Sequence, residues 1–286
     1  MSVKIGVIGG SGLYDLEGIE NKGEVKVETP YGDPSDTFFT GTLDGTDVVF
    51  VPRHARSHIY LPTEVPYKAN IWALKKLGVT HIVTVTATGS LQEQFKPGDI
   101  CVIDQMFDRT RHRADTFFGE GIVAHVAFAD PIASDLAKLL YDTGVELGYD
   151  MHPSGTYVNM EGPQFSTRAE SEFYRAQGFH VIGMTNYTEA RLAREAEIPY
   201  ATLALVTDYD CWKSHDESVD ATAVLEVMKD NIQKAKDILR HVIPTITMDY
   251  DTDIQNALAV AIVTDFANVP EQTKQNLAPI IGRYLK

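Results

Sequence analysis

Cysteine is scarce in this sequence. The 286 residues contain only Cys101 and Cys211, too few and too far apart to suggest a disulfide framework or a zinc site. No apolar run reaches the roughly 18 residues that cross a bilayer, and the first residues lack the charged-then-apolar pattern of a signal peptide. We therefore expect a cytoplasmic protein that neither spans a membrane nor binds a metal.

Basic residues are also few. Lys and Arg total 25 against 40 Asp and Glu, which gives a formal net charge of −15. Such a surface repels the backbone of nucleic acids and anionic membranes, so we expect neither as a partner. A small anion is not excluded, because a few convergent donors can bind it locally.

The residues that are present predict one α/β domain over residues 1–286. Hydrophobic residues make up 44% and charged residues 23%, and no stretch has the composition of a linker. Short β-branched runs, several of them apolar throughout, alternate with segments of helical pattern. This alternation predicts a mixed, largely parallel central sheet flanked by helices. The predicted strands are Val3–Ile8, Asp47–Val51, His81–Val85, Ile100–Ile103, His180–Ile182 and Ala201–Val206.

Helix starts and stops can be placed between these strands. Thr167 with Glu170, and Asn186 with Glu189, have the spacing of capping boxes. Less regular helical segments follow near the C-terminus, and we expect residues from about 251 to 286 to pack on the domain or on a neighbouring subunit. The predicted helices are about Pro66–Lys76, Pro131–Leu147, Arg168–Gln177, Asp220–Val242, Asp251–Phe266 and Pro270–Leu285.

Three of the predicted strands end in residues that suit an anion. The first leads into Gly9-Gly10-Ser11-Gly12, which could hold a phosphate with amides and a hydroxyl or could be a simple tight turn. The second leads into the basic cluster Arg53-His54-Ala55-Arg56-Ser57-His58, where a bidentate guanidinium and an imidazole suit a phosphate dianion, although a solvated loop is the alternative. The third ends in Val85-Thr86-Ala87-Thr88-Gly89-Ser90. Open α/β sheets bind ligands at the carboxyl ends of strands, so we expect one shared phosphate site.

Two further segments next to helix starts carry candidate ligand contacts. Phe165 lies just before the helix that begins near Arg168, where it is either a core residue or a ligand contact. Thr185 follows the strand His180–Ile182, and it either donates to an anion or simply caps the next helix.

An acidic pair follows the most apolar strand. Asp208 and Asp210 are spaced by two, so in an extended segment both carboxylates point to one side. A solvent-facing acidic turn is the alternative. The flanking Val206, Tyr209 and Trp212 favour partial burial, and burial beside a like charge raises a carboxyl pKa towards the range of a general acid.

With these motifs in place, the sequence resembles the 5′-methylthioadenosine phosphorylase family of the trimeric purine nucleoside phosphorylase superfamily. The resemblance runs from Lys4 to about Leu239 and is weak beyond it. It rests on Gly-Val-Ile-Gly-Gly-Ser-Gly-Leu at 6–13, Arg-His at 53–54, Ala-Asn-Ile-Trp-Ala-Leu-Lys at 69–75, Thr-Ala-Thr-Gly-Ser-Leu at 86–91, Glu-Gly-Pro-Gln-Phe-Ser at 161–166, Gly-Met-Thr at 183–185 and Thr-Asp-Tyr-Asp-Cys-Trp-Lys at 207–213.

The resemblance implies roles for individual residues. Asp208 would be the catalytic acid that donates to the purine, and Asp210 would accept from the exocyclic amino group of adenine. Family members that use 6-oxopurines carry asparagine where this chain has Asp208. Phosphate would be held by Ser11, Arg53, His54, Ala87 and Thr185, and the nucleoside would be contacted by Thr86, Phe165, Met184, Asp208, Asp210, His125, Ala221, Val224 and Leu225.

The last four residues of that list bear on the methylthio end and on assembly. The resemblance implies that Ala221, Val224 and Leu225 line an apolar pocket, which would favour methylthio over hydroxyl by only about 1–3 kcal/mol. It also implies that His125 reaches across a subunit boundary, in a homotrimer or in a hexamer of two trimers.

The implied reaction is phosphorolysis of methylthioadenosine, with inorganic phosphate as co-substrate and no cofactor. A phosphorylase for adenosine or 6-oxopurine nucleosides, including methylthioinosine, is an alternative. A nucleotide-binding module without turnover is an alternative of another class, but Asp15 stands where a dinucleotide-binding turn would have its third glycine. This chain also departs from the family at Gln164, where arginine is frequent, and at Gly183, where asparagine is usual.

Overall fold

The computed structural model describes residues 2–10, 12–213 and 221–285, the first five residues of the last range through their backbone alone. Over these residues, the strands form one mixed sheet with helices packed against it, which confirms the predicted fold class. The strands are β1 (Lys4–Gly9), β2 (Glu20–Val25), β3 (Phe38–Leu43), β4 (Thr46–Pro52), β5 (His81–Ser90), β6 (Ile100–Val102), β7 (Gln105–Asp108), β8 (Met151–His152), β9 (Thr156–Asn159), β10 (Val181–Gly183) and β11 (Tyr200–Tyr209).

The helices alternate with the strands over most of the chain, as the sequence predicts. Thr167 forms the capping box with Glu170 at the start of the third helix. The helices are α1 (Tyr67–Lys76), α2 (Ser134–Glu146), α3 (Arg168–Ala176), α4 (Asn186–Glu195), α5 (Ala221–Val242), α6 (Glu271–Asn276) and α7 (Ala278–Ile281).

Strand β5 organises the sheet. It pairs in parallel with β1 on one side and with β11 on the other, and its last residues also pair antiparallel with β10. The path β2-β3-β4-β1-β5-β10-β9-β7 and the branch β11-β6-β8 therefore separate at β5. Because β1, β4, β5 and β11 run parallel, their carboxyl ends meet at the same edge.

The central strands form because they are apolar on both faces. Along β11 the first eight residues are buried, and along β5 the first six are buried. Strand β2, in contrast, is mostly exposed and carries charges, which is why no hydrophobic pattern predicts it. It pairs with β3 and ends the sheet there.

The C-terminal segment differs from the prediction. Instead of a helix over Asp251–Phe266, the structure has 3₁₀ turns at Ile254–Asn256 and Phe266–Asn268. Asp251 has φ +51°, outside the helical region, and its carboxylate accepts hydrogen bonds from the first amides of α2. Further on, Ile262 bridges to Ala124 in extended conformation.

The same segment packs on its own chain. Buried Glu197 accepts hydrogen bonds from the Leu258 amide, from the Arg283 guanidinium at 2.8 Å and from the Tyr284 hydroxyl at 2.6 Å. The Trp72 indole donates to the carbonyl of Asn276. Among the described residues, no helix is long and apolar enough to cross a membrane.

Candidate active site

The strand ends that the sequence singles out do come together. Gly9 at the end of β1 lies opposite Pro52 at the end of β4, and the Arg53 amide donates to the Gly9 carbonyl at 3.0 Å. On the other side of β1, Ile8 lies opposite Thr84 of β5. One edge of the sheet therefore carries the glycine turn, the start of the basic cluster and the hydroxyl-rich end of β5. Ser11 lies outside the described residues.

Arg53 is buried, and its guanidinium is already bonded to protein groups. Its Nε and Nη2 donate to the two carboxylate oxygens of Glu189 at 2.5 and 3.1 Å, Nη2 also donates to Thr84 Oγ1, and Nη1 donates to the Val85 carbonyl. The bidentate fork that we expected to hold phosphate is thus formed with Glu189 instead. Because a guanidinium has five N–H groups, these four bonds to described residues leave one Nη1 hydrogen for a further partner such as a ligand.

Glu189 belongs to a buried polar network rather than to a capping box. The predicted capping box at Asn186 is wrong, because α4 starts at Asn186 with Thr185 as N-cap and without a side-chain cap. Asn186 Nδ2 donates instead to Tyr200 Oη and Thr202 Oγ1, and Tyr200 Oη donates to Glu189 at 2.9 Å. The sequence could not separate these roles, because both place an acid at the same position.

The rest of the basic cluster does not form one cationic site. Burial, and then the neighbouring Arg53 charge, lowers the pKa of His54 to about 4, so its imidazole is neutral at pH 7. His54 Nδ1 lies 2.9 Å from the Tyr60 carbonyl, which can only accept, so Nδ1 carries the hydrogen and Nε2 has a free lone pair. Arg56 points away and pairs with Asp36 and Glu24.

Residues of the β5 and β10 ends border the same edge. Ala87 is exposed although its neighbours Thr86 and Thr88 are buried, so the sheet is open to a ligand at this point. Thr185 is buried and is the second residue after β10, and Met184, which precedes it, packs against Gly162 of the neighbouring loop.

The acidic pair lies at the end of β11. A bulge between Val206 and Asp208 shifts the register there, so that Asp208 lies opposite Gly89. A Cβ atom added to Gly89 would lie 3.2 Å from Asp208 Oδ1 and 3.5 Å from Asp210 Cβ. Both acids therefore pack over the same glycine, and a side chain at position 89 would require Asp208 to shift by a few tenths of an ångström.

The two carboxylates differ in their surroundings. Burial raises the pKa of Asp208, the hydrogen bond from Thr207 Oγ1 at 2.7 Å lowers it, and the charge of Asp210 raises it further, for a net increase. Asp210 is 8% exposed, and its Oδ2 has no hydrogen-bond partner among the residues that the structure describes. A raised pKa suits a proton donor, and a buried oxygen without a partner suits an acceptor that waits for a ligand.

The remaining candidates lie outside this group or outside the described side chains. Phe165 is not a core residue, because 82% of it is exposed. His125 is exposed, and its amide bonds to Ala261 in the C-terminal segment. Ala221, Val224 and Leu225 lie on α5 within the five residues described only by their backbone.

Comparison with known proteins decides the family. A model of the phosphorylase superfamily matches residues 4–244. The S-methyl-5′-thioadenosine phosphorylase of Geobacter sulfurreducens is 52% identical over 286 residues, covering 100% of both chains. This chain belongs to the S-methyl-5′-thioadenosine phosphorylase family. The resemblance expected from the motifs is confirmed, and the similarity also includes the C-terminal residues that we expected to match weakly.

Further relatives of the family agree. The S-methyl-5′-thioadenosine phosphorylase of Koribacter versatilis is 48% identical, covering 99% of this chain and 97% of its own. A methylthioadenosine phosphorylase from an Antarctic soil metagenomic library superimposes with a TM-score of 0.93 at 46% identity, covering 98% and 99% of the two chains. A mutant adenosine/methylthioadenosine phosphorylase from Schistosoma mansoni in complex with methylthioadenosine gives 0.83 at 36% identity, covering 90% and 96%.

The buried ion pair leads to a stability prediction. We expect Glu189→Ala to lower the free energy of unfolding by about 3–5 kcal/mol, because the Arg53 charge is then buried without a partner. The double variant Arg53→Met with Glu189→Leu should recover most of that loss. Urea unfolding measures both, with Glu172→Ala on the exposed face of α3 as control. If the free energy of unfolding of Glu189→Ala equals that of the wild type, the ion pair does not stabilise the fold.

Proposed function

We propose that this protein cleaves S-methyl-5′-thioadenosine with inorganic phosphate, giving adenine and 5-methylthioribose 1-phosphate. The observation that carries the proposal is the acidic pair at the end of β11, where Asp208 has a raised pKa and Asp210 has a buried oxygen that no described residue contacts by a hydrogen bond. Family membership and the convergence of the strand ends support it. The reaction is a pentosyl transfer in purine and methionine salvage.

The two acids recognise and activate the base. Asp208 donates its proton to the ring nitrogen on the five-membered side of adenine while the bond from the anomeric carbon to the base breaks. Asp210 accepts a hydrogen bond from the exocyclic amino group. Hypoxanthine has no amino group there, so the pair favours 6-aminopurines.

Phosphate attacks the anomeric carbon from the face opposite the base. Its oxygen forms the new bond, and its negative charge stabilises the ribosyl cation that develops as the base leaves. Since Glu189 balances the Arg53 charge and His54 is neutral, phosphate is held by single hydrogen bonds rather than by surplus positive charge. The bond to His54 Nε2 is donated by the P–OH group, because this nitrogen can only accept. The proposed phosphate contacts are Ser11, Arg53, His54, Ala87 and Thr185.

The remaining candidate residues contact the nucleoside. Thr86 and Met184 contact the ribose, and Phe165 stacks on the purine, for which its exposed ring is available. Ala221, Val224 and Leu225 line the pocket of the methylthio group. One relative is named an adenosine/methylthioadenosine phosphorylase, and adenosine is therefore the second candidate substrate.

The protein is proposed to act as a homotrimer, or as a hexamer of two trimers, in which His125 completes the site of a neighbouring subunit. Support comes from the surface around His125, where the exposed fractions of Val123, Val260 and Val263 are 47%, 96% and 67%. These residues lie on two segments that are hydrogen-bonded to each other. An apolar surface of this kind is typical of a subunit interface. A cytoplasmic location is part of the same proposal.

The reaction is tested by release of free base from methylthioadenosine, adenosine, inosine and methylthioinosine, each with and without phosphate. We expect phosphate-dependent release, fastest from methylthioadenosine. Release without phosphate would indicate a hydrolase. A preference for the two 6-oxopurine nucleosides would overturn the role given to the acidic pair.

Asp208→Asn tests the acid. We expect kcat with methylthioadenosine to fall about 100-fold or more, because asparagine cannot supply the proton. In the wild type, burial raises the Asp208 pKa, so the active protonated form is lost, and kcat falls, as the pH rises through that raised value. This decline should be absent from the variant. Exposed Asp249→Asn is the control, and a wild-type rate for Asp208→Asn would exclude Asp208 as the acid.

Val260→Glu tests the assembly. Light scattering after gel filtration should give the wild type a mass of about three or six times 31.7 kDa, and the variant a smaller mass because a charge would be buried in the interface. Val145→Glu, on the exposed face of α2, is the control. A monomeric wild type would refute the proposed assembly.

A further inference from the structure

The start of α4 bears on how phosphate is held, an argument that rests on the proposed role of Thr185. The first amides of a helix have no partner within the helix, and together with the helix dipole they form a ready anion site. From the sequence alone, Thr185 could have used this arrangement to bind phosphate. The observed bonds of these amides decide whether it can.

The amides at this helix start are already bonded to strand β9. The Thr185 amide donates to Tyr157 Oη at 3.4 Å, and the Tyr187 amide donates to Asn159 Oδ1 at 3.0 Å. Asn159 also donates from Nδ2 to the Met184 carbonyl. Tyr157 and Asn159 are both 0% exposed. The helix is thus capped by a neighbouring strand and not by its own residues, and these two amides face β9 instead of a ligand.

The ring of Tyr157 packs directly against the backbone of Gly183. A Cβ atom added to Gly183 would lie 2.2 Å from Tyr157 Oη, 2.8 Å from Cζ and 2.9 Å from Cε2. No other residue fits at 183 while the phenol stays where it is, which accounts for the departure from the usual asparagine. The backbone of β10 is held on the same side, because the Met160 amide donates to the Gly183 carbonyl at 2.9 Å.

With its amide engaged, Thr185 has only its hydroxyl to offer. In the structure Oγ1 donates to Asn186 Oδ1 at 3.3 Å, and a charged oxygen of phosphate is a stronger acceptor that can replace this neutral amide oxygen. Thr185 is 4% exposed, so the packing around it leaves its side chain little freedom to move.

We propose that Tyr157 and Asn159 are positioning residues, which occupy the amides of the α4 start and fix residues 183–185 so that Thr185 meets phosphate through its hydroxyl alone. Neither residue touches the substrates. Tyr157 and Gly183 form a matched pair in this arrangement, and the hydroxyl of Tyr157 is the atom on which the position of Thr185 depends.

Tyr157→Phe is the direct test, because it removes one oxygen and keeps the ring. We expect the KM for phosphate to rise about fivefold, the effect of one lost hydrogen bond, while kcat at saturating phosphate changes by less than about twofold. Tyr174→Phe, another buried tyrosine at 3% exposure, is the matched control and should leave both constants unchanged. An unchanged phosphate KM in Tyr157→Phe overturns the proposal. So does a fall in kcat alone with a lower melting temperature, which would indicate a purely structural role.

Thr185→Val separates the hydroxyl from the amide, since valine keeps the amide and the shape. We expect the phosphate KM of Thr185→Val to rise at least as much as that of Tyr157→Phe. If it stays at the wild-type value, phosphate is held by the amide and the proposal is wrong. Should Tyr157→Phe not fold, Asn159→Asp keeps the acceptor for the Tyr187 amide and loses the donor to Met184, and the same rise in phosphate KM is expected.

A readout without turnover separates this inference from the proposed reaction. Inorganic phosphate alone should raise the melting temperature of the wild type, and the rise should shrink in Tyr157→Phe but not in Tyr174→Phe. A wild type that is stabilised by phosphate yet releases no base would refute the proposed function. The comparison of Tyr157→Phe with Tyr174→Phe would still test the positioning role. A wild type that phosphate does not stabilise, or an equal rise in both variants, would refute the inference.

Discussion

The site depends on one buried ion pair. Arg53 is the first residue after β4, and Glu189 lies in the first turn of α4. Their ion pair therefore fixes the helix to the sheet at the edge where the strands end. Thr84 from β5 and Tyr200 from β11 complete the network. A buried charge is tolerated only with a partner, and here the pairing also fixes the geometry of four elements at once.

The same pair limits how this acidic protein can bind a dianion as its co-substrate. The net charge is −15, and the cation at the proposed phosphate site is already neutralised by Glu189. Binding must then come from directed hydrogen bonds on a rigid frame. On the base side the situation is reversed, because Asp208 is half buried beside Asp210 and its charged form is disfavoured. The site thus combines a balanced cation with an acid that tends to keep its proton.

Much of this could be predicted from the sequence, for physical reasons. Strands such as β5 and β11 are apolar on both faces, and the motifs at their ends are local. The fold class, the edge that carries the candidate site and the acidic pair therefore follow from the sequence pattern. What pattern cannot predict are partners that are distant in the chain. Glu189 has the spacing of a capping residue, and only the folded sheet brings Arg53 to it. In the sequence, Tyr157 has the pattern of an ordinary strand residue, and only the fold shows that it packs against Gly183. Asp251 was expected to begin a helix, but its carboxylate binds the amides of α2, more than 100 residues away in sequence.

Helix α4 is held at both ends by other parts of the chain. Its first amides are bonded to β9, Glu189 is bonded to Arg53, and the turn after its last residue carries Glu197, the anchor of the C-terminal segment. Nearly all its residues are buried. A helix that is buried and bonded at both ends frays little, so we expect its backbone hydrogens to exchange slowly with solvent. Slow exchange is then expected beside the proposed phosphate site. The contacts that stabilise the fold there are the same contacts that hold the proposed phosphate ligands in position.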